Sequence, residues 1–546
     1  MSASISLAAA VPGDPGKSLT RDAPGKSLTR DAPSEKATNK WFVAVAVALG
    51  ALLEVIDTSI VNVAMTDIQN TLGATLTEVS WVVSSYAVAN VIVLPLTAWL
   101  GQRFGKKNYF LFSLVGFTVA SVLCGVATSL PMLILARTLQ GLAGGGLLAK
   151  AQAILFETFP REEQAMAQGF FGGIVIAGPA IGPTLGGWIV TNVDWRWIFF
   201  VNVPVGIVAF FMCMAALPKD APRTDHSRID WLAIALLTIG LGSVQTVLEE
   251  GNSEDWFDSP FIVATALAAV VGLVAFVWRQ LVSKAPVVDL RVLRHRSLWA
   301  GSLLSVVVGM ALYGALFAVP IYAQSFLHFT SQQTGMLLLP GALTSAFAMP
   351  IAAKLIQRLD ARVMLVGGAL TLVSAILQLA QISSATGADA LFWPLIVRAF
   401  GTVFMFLPLN MATLGPLPKE DIGKATGFFS LTRQLGGSIG VALLASLLSS
   451  RQAFHRAILT EKVVSGSPDV LARIDAMARG FAAQGFPIGD AHDKALALLD
   501  GAVNQQAAIM SFADTFWATA LLVVVSLPLV FLLGKAAKGK AVPAAH

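Results

Sequence analysis

Long apolar runs dominate the chain, at about residues 42–65, 80–101, 108–128, 131–156, 166–191, 197–217, 230–249, 260–282, 298–323, 334–357, 362–383, 389–414, 424–449 and 511–534. Each reaches the roughly 20 residues that a helix rising about 1.5 Å per residue needs to cross a hydrocarbon core of about 30 Å. The pattern predicts fourteen transmembrane helices and an all-α polytopic membrane protein. Most connections are short polar turns, but the one at about 450–510 is long. Within it Phe454, Ile458, Leu459 and Val463, and later Leu496, Leu498 and Leu499, recur at approximate helical spacing. A short helical hairpin on the outer face is expected there, either covering an exit, docking a partner, or simply packed as an excursion.

The runs divide the chain into a tail (1–40), six helices (41–217), two further helices with their flanking loops (218–297), six more helices with the long excursion (298–535), and a second tail (536–546). The first tail repeats one nonapeptide, Pro-Gly-Lys-Ser-Leu-Thr-Arg-Asp-Ala, at 15–23 and 24–32. Its polar, proline-rich composition predicts disorder. Each copy contains Gly-Lys-Ser, but a phosphate-binding loop needs a further glycine where Val11 and Thr20 stand, which excludes nucleotide binding. The tail has no apolar core of the signal-peptide kind, so the first span itself is expected to start insertion.

Basic residues set the orientation. Lys17, Arg21, Lys26, Arg30, Lys36 and Lys40 lie in the tail, Arg103, Lys106 and Lys107 follow the second run, and later alternate loops hold Lys219, Arg223, Arg228, Arg279, Lys284, Arg291, Arg294, Arg296, Lys354, Arg358, Arg362, Lys419 and Lys424. Among the short loops on the other side only the fifth-to-sixth has a basic residue, Arg196, and the seventh-to-eighth carries Glu249, Glu250, Glu254, Asp255 and Asp258. Both termini are therefore expected in the cytoplasm.

Hydrophobic residues make up 55% of the chain and charged ones only 13%, about half the share usual in soluble domains. The net charge of +5 is accounted for by these loops, which leaves no basic tract for nucleic acid. Cys124 and Cys213 stand apart inside spans, so neither a disulfide nor a metal site is indicated. With six histidines and no Ser/His/Asp set or metal cluster, neither an enzyme nor a cofactor is expected.

The candidate chemistry lies inside the spans. Asp57 in the first and Arg137 in the fourth sit at about the same depth, and an intramembrane charge is a functional candidate by default. If their helices touch, the two should interact, either as a proton-sensitive pair or as a static ion pair. Glu54 lies one turn before Asp57 on the same face. Two like charges there would keep a proton available near neutral pH; alternatively Glu54 faces a polar cavity and reads a cationic substrate. Lys150 is expected to snorkel towards the inner surface or to meet a carboxylate. In the fifth span Gly178, Pro179, Gly182, Pro183, Gly186 and Gly187 are spaced for a hinge or a tight seam.

These motifs resemble the major facilitator superfamily, in particular its fourteen-helix drug:proton antiporter branch of EmrB/QacA type. Asp57-Thr58-Ser59-Ile60-Val61-Asn62-Val63-Ala64 resembles that branch's helix 1 motif, Arg137 with Gln140-Gly141 its helix 4 motif, and Gly178 to Gly187 its helix 5 antiporter motif. The segments Trp195 to Pro204 and Leu431-Thr432-Arg433-Gln434-Leu435-Gly436-Gly437 are similar to the branch as well. The loop Ala98 to Lys107, with Arg103 and Gly105, resembles the superfamily's gating loop but has Ala98 for its first glycine and Gln102 for its acid.

The resemblance implies two six-helix halves around a central site, with two extra linking helices at the periphery. Arg398 in the twelfth span would repeat Arg137. Trp81, Tyr86, Asn90, Tyr313, Met336 and Asn410, with Arg398 and Arg433, are the candidates for lining a substrate cavity. The implied activity is export of amphipathic compounds, cationic ones among them, across the inner membrane in exchange for protons, with Asp57 as carrier and Arg137 coupled to it. In bacteria with two membranes a periplasmic adaptor and an outer-membrane channel are implied partners. The rival readings are a dedicated metabolite or lipid exporter, or an importer, of the same fold, and a non-transporting sensor or scaffold.

Overall fold

The computed structural model describes residues 39–220, 229–383, 386–463 and 467–533. The repeated nonapeptides, Arg223, Arg228 and the tail 536–546 lie outside the described residues. Among the described residues, fourteen helices are long and apolar enough to span a membrane: α1 (Lys40–Leu72), α2 (Thr77–Phe104), α3 (Lys106–Gly125), α4 (Leu130–Thr158), α5 (Arg161–Asn192), α6 (Trp197–Ala216), α7 (Trp231–Glu250), α8 (Pro260–Val282), α9 (Arg296–Phe326), α10 (Ser331–Leu355), α11 (Ala361–Leu379), α12 (Ala388–Leu414), α13 (Lys419–Glu461) and α14 (Ile488–Leu532). Taking α1 to α6 as the first half and α9 to α14 as the second, two apolar clusters lie within the first, while the cluster of the second also takes in Phe156 of α4 and Ala180 of α5.

Glycine decides how closely the helices meet. Gly178, Gly182 and Gly186 recur every fourth residue along α5 and receive Val55, Ser59 and Ile60 of α1. The other edge of α5 crosses to the second half: a methyl group on Gly187 would fall 2.7 Å from the Gln332 nitrogen of α10. Pro179 and Pro183 lie inside an unbroken helix, so of the two expectations for this motif the geometry is that of a tight seam. The halves meet again where Gly427 of α13 rests on Leu94 and Thr97 of α2, and where Gln152 Nε2 of α4 donates to Asn410 Oδ1 of α12 at 3.1 Å.

The extra pair is not uniformly peripheral. Helix α8 is largely exposed, but α7 holds both halves. Gln245 Nε2 donates to Ser438 Oγ of α13 at 2.7 Å, while Ser84 Oγ of α2 donates to Glu250 at 2.5 Å. Polar side chains facing lipid have no water to bind, and the neighbouring helices supply their partners.

The excursion also differs from the expected short hairpin. A single helix runs from Lys419 to Lys462, about 66 Å at 1.5 Å per residue, and α14 begins well before its apolar part. Between them stands a separate helix, Pro468–Ala483. The reason is local: after Gly440 no glycine or proline interrupts the chain until Gly466, so α13 continues past the membrane. Arg451 Nε and His455 Nε2 both reach Asp514 Oδ2, at 2.5 and 2.8 Å, and tie the arm at its root.

The opposite face, where Lys40 lies, is laced by ion pairs, Lys40–Glu163, Lys106–Glu157 and Arg279–Asp230 among them. Lys424 of α13 contacts Asp289 of the segment after α8 at 2.9 Å. Partial burial pushes the Asp289 carboxyl up, but the Lys424 hydrogen bond and charge, with the Arg291 amide, outweigh it and leave it below its ordinary value.

Two expectations follow. Gly187→Val should cost about 1–3 kcal/mol through overpacking and lower the thermal unfolding midpoint in detergent, whereas Gly367→Ala, with nothing within 4 Å, should leave it unchanged. The Lys424–Asp289 pair stabilises the fold above the ordinary carboxylate range near pH 4 and stops doing so as pH falls through the lowered Asp289 value. Both groups are a quarter exposed, so its worth is under about 1 kcal/mol; Lys424→Met should flatten that acid limb in unfolding scans.

Candidate functional site

The glycine row of α5 holds one face of α1, and Asp57 points from the other towards α4 and α6. Asp57 is fully buried, at 0% exposure, and so is Arg137 at 1%. Arg137 Nη1 donates to Asp57 Oδ2 at 2.5 Å, and Gln140 Nε2 and Asn202 Nδ2 donate to Oδ1, each at 2.9 Å. Arg137 Nε donates to the Val82 carbonyl of α2 at 3.0 Å, and its guanidinium lies 4.3 Å from the Tyr86 ring. Ser121 of α3 accepts from Asn202 and Gln140. Five helices thus converge on one carboxylate. An ion pair without water is maintained only when its remaining hydrogen-bonding capacity is met, as it is here.

Glu54 does not share this site. Helix α4 breaks at Gly144-Gly145-Gly146, where Gly146 takes a left-handed φ of 75°, and restarts at Leu147. Three successive glycines make that break cheap. The free Leu148 amide at the new N-terminus donates to Glu54 Oε2 at 2.8 Å, and Asn90 Nδ2 donates to Oε1 at 2.7 Å. Glu54 and Asp57 share a helix face, but each carboxylate has its own donor set. Both Lys150 and Arg433 lie within electrostatic reach of Glu54. Lys150 does not snorkel: its Nζ is buried, donates to Ser113 Oγ at 2.6 Å, and sits 4.0 Å from the Tyr109 ring.

The cavity candidates divide. Tyr86 and Asn90 join the buried cluster, Asn410 bridges the halves, and Tyr313 lies within electrostatic reach of Arg433. Arg433 is buried against the Phe406 and Phe429 rings, and Arg398 is buried as well. Trp81 instead leans on Phe261 of α8, and Met336 is 58% exposed; neither joins this group.

In the loop after α2, Arg103 is half-buried and Gly105 has a φ of 91°. Gln102 lies with Trp99, Asp289 and Lys424 around one small cavity. A carboxylate does serve the N-terminus of α3, but it is Asp220, which accepts from the Lys107 and Asn108 amides at 2.9 and 3.1 Å. Asp220, Asn202 and Ser121 were not singled out from sequence. Asn202 carried a signal, being polar within an apolar run, whereas Asp220 looked like any loop acid.

Breaking the buried pair from one side leaves an uncompensated charge, at a cost of about 3–5 kcal/mol. Arg137→Met should destabilise the protein by that order in denaturant unfolding, and adding Asp57→Asn should recover part of the loss.

Comparison with known proteins places this geometry in context. A family model described as Major Facilitator Superfamily matches residues 47–441. The multidrug export protein EmrB of Escherichia coli K12 is 33% identical over 489 residues, 89% of this chain and 94% of that protein. The fatty acid resistance protein FarB of Neisseria gonorrhoeae is 30% identical over 491 residues, 90% and 95% of the two chains. Among solved structures, the proton:xylose symporter XylE superposes with a TM-score of 0.54 at 12% identity, covering 90% of this chain and 96% of its own; this likeness concerns the fold alone.

Proposed function

The chain belongs to the major facilitator superfamily, a family of membrane transporters, and we propose that it exports amphipathic small molecules across the cytoplasmic (inner) membrane in exchange for protons, by alternating access. Relatives named as multidrug export proteins support the direction. The observation that carries the mechanism is the buried Asp57–Arg137 contact. Protonating Asp57 removes the charge that holds Arg137 Nη1, so the guanidinium must find other acceptors and the α1–α4 contact is rebalanced. Gln140 spans the change, because it donates to Asp57 and accepts from Arg137. The α5–α10 and α2–α13 seams are where the halves would pivot.

Basic residues concentrated at the Lys40 face support cytoplasmic termini. The arm of α13, Pro468–Ala483 and α14 then stands outside the cytoplasm, placed to meet a periplasmic adaptor that leads to an outer-membrane channel. A second reading, a dedicated lipid or metabolite exporter, draws on the relative named for fatty acid resistance.

In proteoliposomes Asp57→Asn should abolish transport driven by a pH gradient while substrate binding stays within about threefold of wild type. Undiminished gradient-driven transport by that variant would remove Asp57 as the carrier.

A further inference from the structure

Arg433 stands out among the buried charges. It is 6% exposed on α13, with its guanidinium carbon 5.2 Å from the Phe406 ring and 5.8 Å from the Phe429 ring, and its Nη1 has no hydrogen-bond partner. A guanidinium keeps its charge and five donors under any ordinary condition, so leaving one among apolar groups is costly unless an anion meets it. The carboxylate within its electrostatic reach, Glu54, has committed both oxygens to Asn90 and the Leu148 amide. Asp57 and Arg137 are paired with each other, so neither of them meets Arg433 Nη1. Arg398, 8% exposed with its Nε unpartnered, lies eight residues before Phe406 on α12, about 12 Å along that helix, and extends the positive character.

Resting on the exporter reading above, we propose that Arg433 is the binding station for the anionic head of an amphipathic substrate, such as a carboxylate or sulfonate, with Phe406, Phe429 and Tyr313 taking its apolar body. Aromatic rings beside a cation suit a ligand that is anionic at one end and apolar at the other. The station is separate from Asp57, so substrate and proton are held by different residues.

Binding of three probes with one skeleton separates the head groups: 2-naphthoate, 2-naphthylmethanol and 2-naphthylmethylammonium, titrated at pH 7 into the full-length protein in lipid nanodiscs. Naphthoate should bind at least tenfold more tightly than the other two. Arg433→Gln should weaken naphthoate about tenfold and leave the alcohol within twofold, and Arg433→Lys should restore most of the loss. If Arg433→Gln does not purify folded, Arg433→Met carries the comparison and is expected to weaken naphthoate selectively. Tightest binding of the ammonium, no binding of any probe, or unchanged naphthoate affinity in the variant with a neutral residue at 433 overturns the station. Proteoliposome transport under a pH gradient tells the two ideas apart. Asp57-dependent movement of the ammonium without naphthoate binding keeps the exporter and removes the station, whereas naphthoate bound through Arg433 but never moved keeps the station and removes the exporter.

Discussion

A carboxylate that has left water must be given donors by the protein, and the way Asp57 receives them fixes much of the first half. Its three donors come from α4 and α6, while Arg137 is held by α2 and Ser121 of α3 steadies the amides. Any register of α1 against α4 that separates the charges leaves both buried and unpaired, at several kcal/mol each. The pair therefore acts less as glue than as a selector of one arrangement, and a proton is the smallest ligand able to alter that selection.

Close approach makes the arrangement possible. Gly178, Gly182 and Gly186 let α5 lie against α1, and Gly187 brings α10 up to the same helix. Between lipid-facing helices there is little hydrophobic drive, so small residues that admit van der Waals contact govern association. Helix α5 thereby touches both halves, and one of its close contacts is with α1, the helix that carries Asp57. Helix α7 adds a second bridge, with Gln245 on α13 and Glu250 on α2.

The halves repeat in architecture but not in charge. Arg398 occupies a place in α12 like that of Arg137 in α4, yet α9, the counterpart of α1, contains no acidic residue between Arg296 and Phe326. In the first half Asp57 and Arg137 pair with each other, whereas Arg398 and Arg433 in the second each keep a guanidinium nitrogen without a partner. In the mechanism we propose, that asymmetry leaves the proton to the first half and an anion to the second.

Span number and the matched depth of Asp57 and Arg137 were legible from the sequence, because membrane thickness imposes run length and an apolar run makes a charge conspicuous. The glycine spacing of α5 was equally plain, though whether it meant hinge or seam was not, since that depends on what faces each glycine. Periodicity also could not tell where α13 stops, as helical spacing is the same in lipid and in water; the missing breaker before Gly466 was the better guide. What only tertiary structure decided is partnership. Glu54 shares a helix face with Asp57 but turns to Asn90 and the broken end of α4, Lys150 stays buried beside Tyr109, and Asp220 caps α3 from over a hundred residues away. A sequence fixes how deep each residue sits along its own helix, but which neighbour it meets depends on how the helices turn and cross, and that is settled only when all of them pack together.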